Sequence, residues 1–360
     1  MTLALVSSPQ SLYCNTLTSS NENAEKEAIE KTYEKFDILV ETLKKGKGWM
    51  TEYLVQFQGF WLSPSSALKG VLFVQNHFKS QPSDIFLATS VKCGTTWFRA
   101  LIYATINRSN YSFNTHPLLY TGPHDCFPFL DAFIYQDYLV SHSTSSNNHL
   151  SPRLFATHIP YGLLPKSMIT SGSKFVYICR EPKDVLISTW LFMNKLRPKH
   201  LLPLSLHEAF QMFCEGVSHY GPYWDHVLGY WKASFKYPNN VLFIKYEDMK
   251  KEPLFHLKKL ASFLGKPFSE KEEKEGVVKE VLKLCSFDNL SNLEVNKTGI
   301  LRYSSRIFVN NCYFFRKGEV GDWQNYLTEE MVKHLDLITM QKLKGSGLTF
   351  GSPDYLKLNL

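Results

Sequence analysis

The chain has 360 residues, 44% of them hydrophobic, 20% charged and 14% aromatic, with a formal charge of +7 at neutral pH. That balance excludes global disorder and allows a large core; without a block of Lys and Arg among aromatics, the modest positive excess argues against nucleic acid as a partner and suits a small polyanion. Seven cysteines without CxxC spacing argue for a reducing compartment and against a disulfide framework or a zinc site.

The opening residues MTLALVSS carry no basic region, so a secretory signal is not expected, and no window reaches the roughly eighteen apolar residues of a membrane span. Residues 1–25 read as a disordered tail, and residues 26–360 as a single domain. Residues 24–46 have the spacing of a charged amphipathic helix (Ile29, Tyr33, Phe36, Leu39, Val40, Leu43). The aromatic stretch Tyr53–Trp61 is either core packing or one wall of a substrate pocket. Residues 67–79 read as helix.

The stretch Asp84–Arg108 is the most informative. Ile85–Ala88 is an apolar, β-rich run; Val91-Lys92-Cys93-Gly94 turns; Trp97, Phe98, Leu101, Ile102 and Thr105 then recur at helical spacing. The pattern is strand, tight Gly loop, helix, with Thr95 or Thr96 expected to cap the helix. Free N–H groups at such a helix start, together with the helix dipole, favour an anion there, and Lys92 adds a full positive charge. Lys precedes the Gly and two threonines follow, so this is not the Walker pattern. Alone, the stretch favours an anion, most simply a phosphate, over the alternative of an ordinary strand-to-helix turn bearing an exposed Lys.

Asn114–Pro128, rich in Pro, Gly and His, reads as a loop; His116 and His124 are candidates to line a pocket, although an isolated loop His is more often exposed. Residues 137–152 read as a polar surface loop. Arg153–Thr157 is a short buried strand followed at once by His158, which is placed to act as a base or to serve structure. Lys174–Cys179 is the next strand, ending in Arg180; Asp184 is expected to cap the helix Val185–Met193, with Ser188 on it. Residues 205–236 read as two helices joined at 216–224. Val241–Lys245 is a fourth strand, with Tyr246 at its end. Ser269 and Glu272 form a capping box opening a helix at 270–283. Residues 286–315 read as loop, Arg316-Lys317-Gly318 as a second cationic turn, and Glu329 to about Leu343 as the final helix. Strand–helix alternation implies an α/β fold: a central parallel sheet flanked by helices. Lys92, Arg180, Arg316, Lys317 and His158 would gather at strand ends, where such folds place their chemistry.

Five motifs then occur in order: Lys92-Cys-Gly-Thr-Thr-Trp97, Phe155-Ala-Thr-His158-x-Pro160, Arg180-x-Pro182-x-Asp184, Tyr246-Glu-Asp-Met249 and Arg316-Lys-Gly-x-x-Gly-Asp-Trp323. On these, from about Gly48 to Phe350, the chain resembles the cytosolic (soluble) sulfotransferases, especially the plant branch with flavonol and hydroxyjasmonate sulfotransferases. The resemblance implies a P-loop-like nucleotide-binding fold and 3′-phosphoadenosine 5′-phosphosulfate (PAPS) as co-substrate, with no metal. It implies that Lys92, Cys93, Gly94, Thr95, Thr96 and Trp97 hold the phosphosulfate end, with Trp97 on adenine. Arg180, Ser188, Arg316, Lys317 and Gly318 would hold the 3′-phosphate, Tyr246 and Phe287 would flank adenine, and His158 would take the acceptor's proton. The implied acceptor is a small hydroxylated molecule, aromatic or hydrophobic, in a pocket drawing on Phe57, Phe60, Trp61 and Tyr220. A cytoplasmic monomer or weak homodimer is implied.

Two residues depart from the family pattern. Pro and Ser or Thr are usual where this chain has Val91 and Cys93; the first change is expected to loosen the start of the loop, the second to remove a hydroxyl from the sulfate. Two other classes stay open on sequence: a PAPS or nucleotide binder with weakened catalysis, and an atypical P-loop kinase. Against the latter stand the missing Gly-Lys-Ser/Thr and the lack of an evident magnesium carboxylate.

Overall fold

The computed structural model describes residues 31, 36–131, 152–302 and 308–351. The segment 1–25, the first part of the expected 24–46 helix and nearly all of the loop at 137–152 lie outside them. Four strands make the central sheet: β4 (Ile85–Thr89), β5 (Leu154–Thr157), β6 (Lys174–Cys179) and β7 (Val241–Lys245), in the order β5-β4-β6-β7 and all parallel. An antiparallel sheet, β1 (Lys44–Lys47), β2 (Tyr53–Phe57) and β3 (Phe60–Leu62), precedes them, and a hairpin of β8 (Ile300–Arg302) and β9 (Phe308–Asn310) follows.

The near-continuous apolar strands are what a sheet covered on both faces requires. Alternate residues of β4 go to opposite sides. Phe86 and Ala88 join one core with Trp49, Trp224 and Tyr230. Ile85 and Leu87 join the other with Phe98, Leu101 and Ile102 of the helix Thr95–Asn107. Phe86 stacks between Phe155 and Phe175, at centroid distances of 5.7 and 4.8 Å; each such pair adds about 1 kcal/mol beyond its buried area.

Register decides where the chemistry goes. Ala88 of β4 lies opposite Thr157 of β5 and Tyr177 of β6, and Cys179 of β6 lies opposite Lys245 of β7. The residues that follow each strand (the Ser90–Gly94 loop, His158, Arg180 and Tyr246) therefore emerge along one edge, the C-terminal edge of a parallel sheet.

Several local expectations change. The N-terminal helix ends at Thr42, and Lys44–Lys47 is strand, because Gly46 lets β1 lie directly on the Trp61 ring: a Cβ there would sit 2.8 Å from it. The helix expected at 270–283 keeps its Ser269/Glu272 capping box but breaks at Gly276, whose φ of +79° starts a second helix, Val277–Leu284. The stretch 286–315 is not a plain loop: Ser286 caps a helix Phe287–Asn292, and Glu294–Thr298, β8 and β9 follow. The final helix spans Glu329–Leu343.

Candidate active site

Two residues shape the loop after β4. Lys92 has φ +65° and Gly94 φ +100°. Gly94 is required twice over, because a Cβ at that position would also lie 2.7 Å from the Tyr246 ring. Gly94, not a threonine, is the N-cap of the helix Thr95–Asn107. The left-handed turn at Gly94 leaves the threonine hydroxyls for other partners: Thr95 Oγ1 meets Thr89 Oγ1 at 2.8 Å, and Thr96 Oγ1 meets His124 Nε2 at 3.0 Å. The Lys92 ammonium lies 3.9 Å from the centre of the Phe192 ring. Burial, then the charges of Arg180, Arg316 and Lys195, push its pKa down to about 7. Among the described residues no carboxylate lies within ion-pair distance of Lys92, so the corner is short of negative charge.

The opposite corner is built around Arg180. Its guanidinium is buried, 4.7 Å from the Tyr246 ring centre and 3.3 Å from Asp184 Oδ2, and it donates to Glu319 O at 2.5 Å. Its Nε is a buried donor with no partner among the described residues. Asp184 does not cap its helix. That helix begins at Pro182, so Asp184 lies inside the first turn, and its carboxylate accepts the N–H groups of Gly321 (2.8 Å) and Trp323 (3.2 Å). The Arg316–Trp323 loop is thereby tied to the helix Pro182–Leu196. Asp322 pairs with Arg316 and, at 2.6 Å, with Lys317. Burial raises the Asp322 carboxyl, but hydrogen bonds from Lys317, Arg316 and Asn325 outweigh it and hold the pKa down to about 2.

Between the corners is a slot walled by rings. Trp97 meets Tyr246 edge-on at 5.5 Å, and the Tyr246 hydroxyl donates to Gly318 O at 3.0 Å. Gly318, with φ +67°, leaves the space a Cβ would take 2.5 Å from the Phe287 ring.

His158 follows β5. Its Nδ1–H donates to Thr89 O at 2.7 Å, which leaves Nε2 unprotonated. The ring lies 4.6 Å from Phe129 and 5.6 Å from Tyr220, whose hydroxyl donates to Asp131 Oδ2 at 2.5 Å. The backbone is held too: His226 Nε2–H donates to His158 O at 2.9 Å, while its Nδ1 accepts from the Tyr177 hydroxyl at 2.9 Å. Burial, followed by the Arg99, His226 and Lys92 charges, lowers the His158 pKa to about 3 against the raising effect of the Thr89 carbonyl, so the imidazole is neutral at physiological pH.

One cavity of about 520 Å³ is lined by Lys92, Gly94, Thr95, Thr96, Trp97, His158, Arg180, Ser188, Tyr246, Phe287, Arg316, Lys317 and Gly318. Cys93 is brought to the loop but not to the cavity. Its thiol is fully buried, with Sγ 3.8 Å from Val91 O, and burial pushes its pKa up to about 12. Phe57, Phe60 and Trp61 also stay outside. Trp61 is in the core, and β3 is pinned to the loop before the helix Tyr223–Lys236 by Trp61 N–H to Gly221 O and Tyr220 N–H to Trp61 O, both 2.7 Å. Tyr220 packs on His158 but does not line the cavity; the lining rings near Lys92 and His158 are instead Phe129, Phe192 and Phe314.

A sequence-family comparison decides the identity: the family described as "Sulfotransferase domain" matches residues 82–347. The chain belongs to the sulfotransferases. Cytosolic sulfotransferase 16 of Arabidopsis thaliana is 42% identical to this sulfotransferase over 334 residues, covering 92% of this chain and 97% of its own. Flavonol 4′-sulfotransferase of Flaveria chlorifolia is 42% identical over 330 residues, covering 89% and 99%. Among solved structures, a mouse sulfotransferase complexed with PAP superposes with a TM-score of 0.61 at 27% identity, covering 81% of this chain and 95% of that one. The sulfotransferase is therefore a sulfonate-transferring enzyme. No helix among its described residues is long and apolar enough to cross a membrane.

His124, offered by the sequence as a pocket candidate but expected to be exposed, is buried and lines the cavity, its ring 4.0 Å from Phe314. His116 is buried as well, its Nδ1 accepting the Leu118 N–H at 3.2 Å. The signal for His124 lay in Arg99: an arginine between Phe98 and Ala100 on a core helix needs a buried acceptor.

Proposed function

We propose that this sulfotransferase takes the sulfonate from PAPS and places it on a hydroxyl of a small aromatic or hydrophobic acceptor, with flavonols and hydroxyjasmonate as the first classes to try. It would act in the cytoplasm as a monomer or weak homodimer, with no metal. The observation carrying the reading is a single cavity with an anion-seeking corner at each end, a ring-walled slot between them and a neutral imidazole at one corner.

The residues suit such a molecule. Arg180 Nε, without a partner among the described residues, is a buried donor, and it shares the cavity with Ser188, Arg316, Lys317 and Gly318, as a 3′-phosphate requires. Gly94 and Gly318 admit Tyr246 and Phe287 to the slot, so an adenine would sit among Trp97, Tyr246 and Phe287. The Lys92–Trp97 loop would take the 5′ end on its helix N-terminus.

When bound, PAPS supplies a sulfonate joined to a phosphate leaving group. His158 Nε2 accepts the acceptor's O–H proton as its oxygen bonds to sulfur. Lys92 meets the negative charge left on the phosphate oxygen when the old S–O bond breaks. Phe129, Phe192 and Phe314, which line the cavity, exclude water and orient a flat acceptor toward Nε2. The test is to incubate the purified protein with sulfur-labelled PAPS and flavonols, hydroxyjasmonate, steroids and simple phenols. Label appearing on an acceptor is expected; binding of PAP, the desulfonated product, without any transfer across the panel would overturn the reading.

A further inference from the structure

The two histidines beside the cavity are held in opposite tautomers. His158 donates from Nδ1 to a carbonyl. His124 does the reverse: Arg99, which has only donors, points NH1 at His124 Nδ1 from 2.7 Å, so Nδ1 must accept and Nε2 must carry the proton. That Nε2–H faces Thr96 Oγ1 at 3.0 Å and is donated to it. Thr96 then has its own hydroxyl proton to place elsewhere, and its side chain lines the cavity at the anion-seeking corner.

We propose that His124 is a positioning residue: locked by Arg99, it turns the Thr96 hydroxyl proton into the cavity, where Thr96 donates to an anionic oxygen of the donor. The inference rests on the PAPS reading above. The chain of donors runs one way, from Arg99 to His124 to Thr96 to ligand, and each link is fixed by the one before. Arg99 lies three residues after Thr96 on the helix Thr95–Asn107, hence on the same face. It is fully buried, with its guanidinium 4.2 Å from the Phe129 ring centre, so its direction is set by packing. His124 is set in turn by its stack on Phe314, two residues before the Arg316 turn. Burial and the charges of Arg99, Lys92 and His158 keep it neutral, as an acceptor at Nδ1 must be. A hydrogen bond that already occupies the threonine oxygen also makes its proton a better donor.

Two measurements test this. Nitrogen NMR of the wild-type protein labelled in its imidazoles should show His124 protonated at Nε2 and bare at Nδ1, opposite to His158; a His124 proton on Nδ1 overturns the proposal without any variant. Calorimetric binding of PAPS and PAP is then compared across His124→Phe, His124→Gln, Thr96→Val and the double variant His124→Phe with Thr96→Val. His124→Phe keeps the stack and loses the donor, so PAPS affinity should fall about tenfold. His124→Gln, with an amide N–H near the Nε2 position, should recover most of it. In the Thr96→Val background, His124→Phe should add less than about a twofold further loss. Equal losses with and without Thr96, or a Gln variant as damaged as the Phe variant, refute the relay. If the wild type binds neither nucleotide, the donor reading itself fails and takes this inference with it.

Discussion

At the scale of single residues, His158 and Lys92 make separable predictions. His158→Ala should lower turnover by about 10²–10⁴-fold while PAP binding, measured by calorimetry, stays nearly intact; a matching loss of binding would make the residue structural. Lys92 is a base whose pKa falls from 10.5 to about 7 on folding. Between those values the folded state binds fewer protons than the unfolded chain, so this group's contribution to stability grows as pH rises through the window. A bound phosphate restores the charge. At pH 8, PAP binding should therefore take up a fraction of a proton approaching one, seen as a binding enthalpy that changes with the ionisation heat of the buffer. A buffer-independent enthalpy at that pH would refute it. Cys93 makes the opposite kind of prediction. Because its thiol points into the core, Cys93→Ser should leave PAPS affinity within about twofold, against the expectation that a lost hydroxyl weakens the sulfate contact.

At the scale of elements, the Arg316–Trp323 loop depends on its own carboxylate and glycine. Asp322 holds Arg316 and Lys317 together, and Gly318 adopts φ +67° with no room for a Cβ against Phe287. Gly318→Ala should cost about 1 kcal/mol or more from backbone strain alone, and the loop must shift to clear the ring. PAP affinity should fall further than the melting temperature suggests, because the shift moves the cations proposed to meet the 3′-phosphate. A variant with normal PAP affinity and only a lower melting temperature would separate the loop from the ligand.

At the scale of the molecule, the two ends of the proposed ligand would meet different parts of the chain that border one cavity: the loop after β4 and a loop some two hundred residues later. Ligand binding should therefore stabilise the whole fold. PAP at about 100 times its dissociation constant should add about 2.7 kcal/mol, or roughly 3–4 °C in the melting temperature at this chain length. ATP, without a 3′-phosphate, should give a clearly smaller shift; an equal shift from both would remove the 3′-phosphate from the argument.

Sequence by itself determined the parallel sheet, since runs such as Ile85–Thr89 and Lys174–Cys179 are apolar on both sides and alternate with helical spacing. It also pointed to His158 and the cationic turns, which the structure places around one cavity, because each directly follows a strand or holds a glycine in a polar turn. It misplaced the threonines, Asp184 and the stretch 286–315, where a local rule had several outcomes and distant partners chose among them: Gly94 took the cap, and Gly321 and Trp323 took the carboxylate. It offered His124 as a pocket candidate but not its burial or its role, because its partners among the described residues, Arg99, Thr96 and Phe314, come from other segments. Tertiary structure alone decided the direction of each side chain around the cavity, because hydrogen-bond direction and ring stacking depend on neighbours far away in the chain, while strand and helix periodicity is written into consecutive residues.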